Sequence, residues 1–139
     1  MNFCFVIDNL LSASSHPGKN RRMHQYINLY NENKIKVLYS VQKKIQLEPE
    51  QADNFILYHH KLEVLEVPPM DEVNKIVDEI LYHIKKEQPV NVSCETGIGR
   101  SSLICMAVVM KYYGIGVNEA YKLINQHRYV NMEDGVREL

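Results

Sequence analysis

The chain has 139 residues, 45% of them hydrophobic and 24% charged, with 16 basic and 17 acidic side chains for a net charge of −1. This composition fits one globular domain over residues 1–139, able to bury about two-thirds of its unfolded surface, and excludes a disordered chain, a collagen-like chain and a disulfide-dense miniprotein. Near-zero charge and the lack of any run of about 18 apolar residues also argue against nucleic acid or a membrane as partner.

Phe3–Asp8 and Asn9–Ser12 read as short strands, and Ser12–Lys19 as a turn-rich stretch. The apolar start is broken by Asp8 and Asn9 and has no basic leader, which favours strand over signal peptide. Met23, Tyr26, Ile27 and Tyr30 recur at helical spacing within 20–33. Ile35–Val41 is a β-rich buried strand, Glu48–Asn54 a short helix, and Phe55–Glu66 contains the next strand. After Pro68–Pro69, the residues Val73, Ile76, Val77, Ile80, Leu81 and Ile84 form one apolar stripe of a helix. Asp71 and Glu72 at its start and Lys85 and Lys86 at its end suit the helix dipole. Pro89–Ser93 is a strand, Cys94–Arg100 a glycine-bearing turn, and Ser101–Tyr113 a core helix ended by Gly114 and Gly116. Asn118–His127 is a further helix with Ala120, Tyr121 and Ile124 inward, and Met132–Leu139 a last short one. Alternating elements predict an α/β fold, a central, mostly parallel sheet flanked by helices on both sides.

The chemistry lies in Cys94-Glu95-Thr96-Gly97-Ile98-Gly99-Arg100-Ser101. A loop between a strand end and a helix start can aim the N–H groups of residues 95–100 at one oxyanion, and the helix dipole favours the same charge. Gly97 and Gly99 permit close approach of the main chain. Arg100 offers a planar fork of donors to two phosphate oxygens. A cationic helix start is otherwise unfavourable, which itself points to a bound anion. Cys94 stands at the mouth of this nest, where a thiolate is favoured and can attack phosphorus. Ser101 is placed to donate a hydrogen bond to that sulfur.

The pattern Cys-x5-Arg-Ser, with glycines third and fifth among the intervening residues, resembles the cysteine-dependent protein tyrosine phosphatases. The compact length, Leu10–Gly18, Pro68–Pro69 before an amphipathic helix, and Asn118–Arg128 resemble its small single-domain dual-specificity members. The resemblance implies a phosphatase-type fold and a phosphorylated protein or peptide as partner. It also implies hydrolysis through a cysteinyl-phosphate, with no metal or organic cofactor. Glu95, Thr96, Gly97, Ile98, Gly99 and Arg100 would hold the phosphate. Two departures stand out. The family's histidine before the cysteine is Ser93 here, and its aspartate general acid falls on Leu65 or Val64. Glu66 is the favoured substitute, with Glu63 and Asp71 nearby. A weakened acid costs more with an alkoxide leaving group than with a phenolate, so phosphotyrosine is expected ahead of phosphoserine or phosphothreonine.

Two other readings stay open at this stage. Loss of both the usual histidine and the usual aspartate fits a phosphate-binding module without turnover. A phosphoinositide or an RNA 5′-phosphate fits the loop but not Glu95 or the near-zero charge. Elsewhere the bland readings prevail. Cys4 and Cys105 are expected in the core, and three widely spaced cysteines suit a reducing, cytoplasmic setting better than disulfides or zinc. On a strand the side chains of His59 and His60 face opposite ways, which argues against a shared metal. His16, His24, His83 and His127 are expected at the surface, Lys19, Arg21 and Arg22 on a solvated face, and Tyr112, Tyr113 and Tyr121 in packing roles.

Overall fold

A computed structural model describes residues 2–17, 23–62, 69–95 and 99–126. Five strands, β1 (Cys4–Ile7), β2 (Leu11–Ser15), β3 (Val37–Ser40), β4 (Ile56–His59) and β5 (Val90–Cys94), form one sheet in the order β1-β2-β5-β3-β4. Only β1 runs antiparallel to its neighbour; β2, β5, β3 and β4 are parallel. The helices are α1 (Met23–Glu32), α2 (Pro49–Ala52), α3 (Met70–Lys85), α4 (Arg100–Tyr113) and α5 (Val117–Asn125).

The pleat of the strands sorts the core into two clusters. Val37 and Tyr39 of β3 and Val90, Val92 and Cys94 of β5 face the apolar stripes of α3 and α4. On the opposite face, Leu38 packs with Tyr26, Ile27 and Tyr30 of α1 and with Ile45 and Phe55. The expected α/β architecture with helices on both sides of the sheet is therefore present.

Several local expectations are corrected. The expected turn at Ser12–Lys19 begins later, because Ser12 to Ser15 continue β2 and are buried. Their hydroxyls are satisfied inside the sheet. Ser12 Oγ donates to the Val90 carbonyl (3.1 Å) and accepts from Asn91 Nδ2 (3.2 Å). Ser14 Oγ lies 3.3 Å from both Asn91 Oδ1 and the Tyr30 hydroxyl. Burial raises the Tyr30 phenol well above its ordinary pKa, so it stays a neutral member of this network.

His83 is not a surface residue: it is 4% exposed. Its Nε2 lies 2.8 Å from the Tyr58 hydroxyl and its Nδ1 2.8 Å from Gln88 Oε1. Tyr112 and Tyr113, expected to pack, are 41% and 49% exposed and stack edge to face on each other. Gly114 ends α4 with φ +67°, the left-handed cap that glycine adopts without strain, whereas Gly116 caps the start of α5. The Met132–Leu139 helix and the basic cluster Lys19, Arg21 and Arg22 lie outside the described residues.

Candidate active site

The C-terminal ends of the four parallel strands point the same way, and the loops that follow them meet beyond β5. This is where open α/β sheets place ligands. β5 is paired on both sides, Ser15 of β2 lying opposite Cys94 and Ser40 of β3 opposite Ser93. The β3 side extends one residue further, Val41 N donating to the Ser93 carbonyl at 3.0 Å. Cys94 is thus the last residue of the best-held strand, and its side chain belongs to the buried cluster beneath α4.

Ser101, in the first turn of α4, lies 3.2 Å from the Cys94 sulfur, its hydroxyl oxygen accepting from the thiol. Both residues are buried. α4 starts at Arg100 behind Gly99, whose position at the N-cap offers no side chain to cap the first turn. The leading N–H groups of such a helix are the donors that an anion satisfies. Gly99 adopts φ −91° and ψ −93°, outside the main α and β regions.

Arg100 is half-buried, and its Nε donates to the carbonyl of Leu62 at 3.4 Å. Leu62 is in turn held by its own N–H on the Val41 carbonyl at 2.8 Å. Main-chain contacts from Val41, just after β3, through Leu62 therefore give the Arg100 side chain a fixed acceptor. Leu62 is also the last described residue before 63–68, the segment that contains Glu66. Glu66, with Glu63, Val64 and Leu65, and the loop residues Thr96, Gly97 and Ile98 lie outside the described residues. Asp71 is exposed in the first turn of α3.

Sequence reasoning missed the contribution of the β3–α2 loop. The N–H of Glu95 donates to Gln42 Oε1, while the Glu95 carboxylate pairs with Lys43 Nζ at 3.2 Å. Lys43 is anchored from behind, its carbonyl accepting from His16 Nε2 at 3.1 Å and from Ser40 Oγ. Since a carbonyl only accepts, His16 carries its proton on Nε2. Burial holds its pKa below the ordinary 6.5, offset in part by these carbonyl hydrogen bonds. His16 is thus half-buried and not a simple surface residue. The one signal in the sequence was the polar run Gln42-Lys43-Lys44 directly after a buried strand.

Ser93 occupies the position before the nucleophile candidate. Its buried Oγ has no hydrogen-bond partner among the described residues. His59 and His60 diverge: His59 Nε2 meets the Gln42 carbonyl at 3.1 Å, and His60 lies 3.9 Å from the Glu72 carboxylate. Cys105 is buried and Cys4 packs at the margin of the same core, both as expected.

Comparison with known proteins agrees with this geometry. The family model of the dual specificity phosphatase catalytic domain matches residues 17–136. Among solved structures, Tk-PTP in its active form superposes with a TM-score of 0.79 at 16% identity, covering 99% of this chain and 94% of its own. The human tyrosine phosphatase-like serine/threonine/tyrosine-interacting protein gives 0.78 at 14% identity, with 98% and 93% covered. PTPMT1 in complex with PI(5)P gives 0.77 at 15% identity, with 99% and 94% covered. At such identities the likeness is one of fold. A search of curated protein sequences finds no match.

Proposed function

From the premise that the chain belongs to the dual-specificity phosphatase catalytic-domain family, we propose that it hydrolyses phosphotyrosine in proteins or peptides through a cysteinyl-phosphate. The observation that carries the reading is the meeting of Cys94 and Ser101, sulfur to hydroxyl at 3.2 Å, where β5 ends and α4 begins.

In the first step the Cys94 thiolate attacks phosphorus as the bond to the tyrosyl oxygen breaks. Arg100 and the amides of Glu95, Thr96, Gly97, Ile98 and Gly99 stabilise the transferring phosphoryl group, the kind of electrostatic support that dominates such reactions. Glu66 gives its proton to the departing phenolate. In the second step water gives a proton to the Glu66 carboxylate and attacks phosphorus, the S–P bond breaks, phosphate is released, and the Ser101 hydroxyl donates to the sulfur anion as it leaves. Leu62 supports the choice of Glu66, since it contacts Arg100 and Glu66 follows it by four residues in the sequence. A tyrosyl leaving group, with a pKa of about 10, needs less help from an acid than a seryl alkoxide does. Phosphotyrosine therefore ranks ahead of phosphoserine and phosphothreonine. A reducing, cytoplasmic setting suits a reaction whose nucleophile must stay reduced.

A second reading is binding of phosphate without turnover. It draws on the Glu95 amide, which is engaged by Gln42. An aryl phosphate assay across pH separates the two, using wild type, Cys94→Ser and Glu66→Gln. Turnover by wild type that vanishes in Cys94→Ser is expected. The acidic limb of the Glu66→Gln profile should change. No turnover by wild type would remove the catalytic reading, and an unchanged profile would remove Glu66 as the acid.

A further inference from the structure

We propose that a cavity beside the phosphate loop receives a second negative charge of the phosphopeptide, with Lys44 as its principal cation. The proposal rests on the phosphopeptide reading above. The cavity measures about 280 Å³ and reaches the loop at Glu95, next to Cys94 in sequence. Its polar wall is His16, Lys43, Lys44, Gln46 and Glu95, and Pro17 and Met23 supply an apolar side.

Three features make this a charge-reading subsite. First, the loop that carries the lysines is tethered. His16 and Ser40 grip the Lys43 carbonyl from below, and His59 holds the Gln42 carbonyl one residue earlier. Lys44 is therefore presented from a tethered loop. Second, the two lysines are not equivalent. Lys43 is already paired with Glu95 at 3.2 Å, whereas Lys44 has no ion-pair partner among the described residues. Third, the Glu95 carboxylate offsets one of the two positive charges, leaving a net charge suited to one carboxylate or one phosphate. A polyanionic lipid headgroup would press further negative charge against Glu95. Met23 and Pro17 give the stem of a peptide side chain an apolar surface to lie on.

The test is equilibrium binding, by fluorescence anisotropy, of labelled phosphotyrosine peptides to Cys94→Ser protein. The peptides carry either Glu or Gln beside the phosphotyrosine and are otherwise identical. The readout is the ratio of the two affinities. A preference of about two- to fivefold for the Glu peptide is expected, the scale of an exposed ion pair. It should weaken as salt rises. Added Lys44→Ala should bring the ratio toward one, and Lys44→Glu should invert it. Added Lys111→Ala, on the far end of α4, should leave it intact. No preference, no binding of either peptide, or a preference retained in Lys44→Glu would overturn the assignment. Lys44-dependent binding to phosphatidylinositol phosphate in phosphatidylcholine vesicles, without any peptide preference, would transfer the cavity to a lipid and overturn the peptide assignment too. Aryl phosphate turnover by wild type is measured separately. A Lys44-dependent preference without turnover would sink the catalytic reading and keep the cavity.

Discussion

The sulfur of Cys94 and the hydroxyl of Ser101 face each other across 3.2 Å, seven residues apart in sequence and both buried. On the cysteinyl-phosphate reading, a hydroxyl so placed can donate to the sulfur as the S–P bond of the intermediate breaks. Hydrogen bonds to charged groups contribute about 1.5–3 kcal/mol, or about 10- to 150-fold. Ser101→Ala should therefore slow breakdown of the cysteinyl-phosphate more than its formation. Rapid-mixing kinetics with an aryl phosphate should show a burst in the variant. Equal slowing of both phases would remove Ser101 from the second step.

Gln42 competes with an anion for the Glu95 amide. Its removal should free one donor of the phosphate loop, and a neutral hydrogen bond exchanged in this way is worth about 0.5–1.5 kcal/mol. Gln42→Ala should bind inorganic phosphate or vanadate more tightly by about two- to tenfold, read as the inhibition constant against an aryl phosphate. Weaker inhibition would show that Gln42 shapes the loop more than it blocks it.

His16 gives stability a pH dependence whose sign is fixed. Its folded pKa is lowered from 6.5, chiefly by burial. Above 6.5 both the folded and unfolded forms are neutral, and its contribution is complete. As pH falls through 6.5 toward the lower folded value, the unfolded chain takes the proton first and the folded state loses ground. Wild type should lose more melting temperature than His16→Gln between about pH 7.5 and about pH 5. Parallel curves for the two proteins would contradict this.

His83 bridges β4 to the end of α3 through Tyr58 and Gln88. His83→Ala breaks both bonds and opens a void at a buried position. Denaturant unfolding should show a loss of about 2–4 kcal/mol. A change below about 0.5 kcal/mol, the range of ordinary surface substitutions, would mean that the bridge is dispensable.

The sequence carried the parts of this molecule that depend on local periodicity. The α3 stripe from Val73 to Ile84 and the apolar α4 run were legible because one face repeats within a few residues. Cys94, Arg100 and Ser101 were legible because the loop is contiguous. What stayed hidden depends on distant partners. The serines of β2 look like a turn until Asn91 and Tyr30 are seen to satisfy their hydroxyls inside the sheet. His83 sits three residues after Ile80 on the buried stripe, yet a histidine there makes sense only with Tyr58 beside it. The same holds for Gln42 and Lys43, whose partner Glu95 lies 53 and 52 positions away in the chain.

The position of β5 at the middle of the sheet has a consequence for how the protein fails when heated. Its amides are bonded to neighbours on both flanks, so deuterium should reach them only when the whole sheet comes apart. The Cys94 sulfur travels with the slowest-opening segment, so on the catalytic reading thermal inactivation should coincide with global melting instead of preceding it.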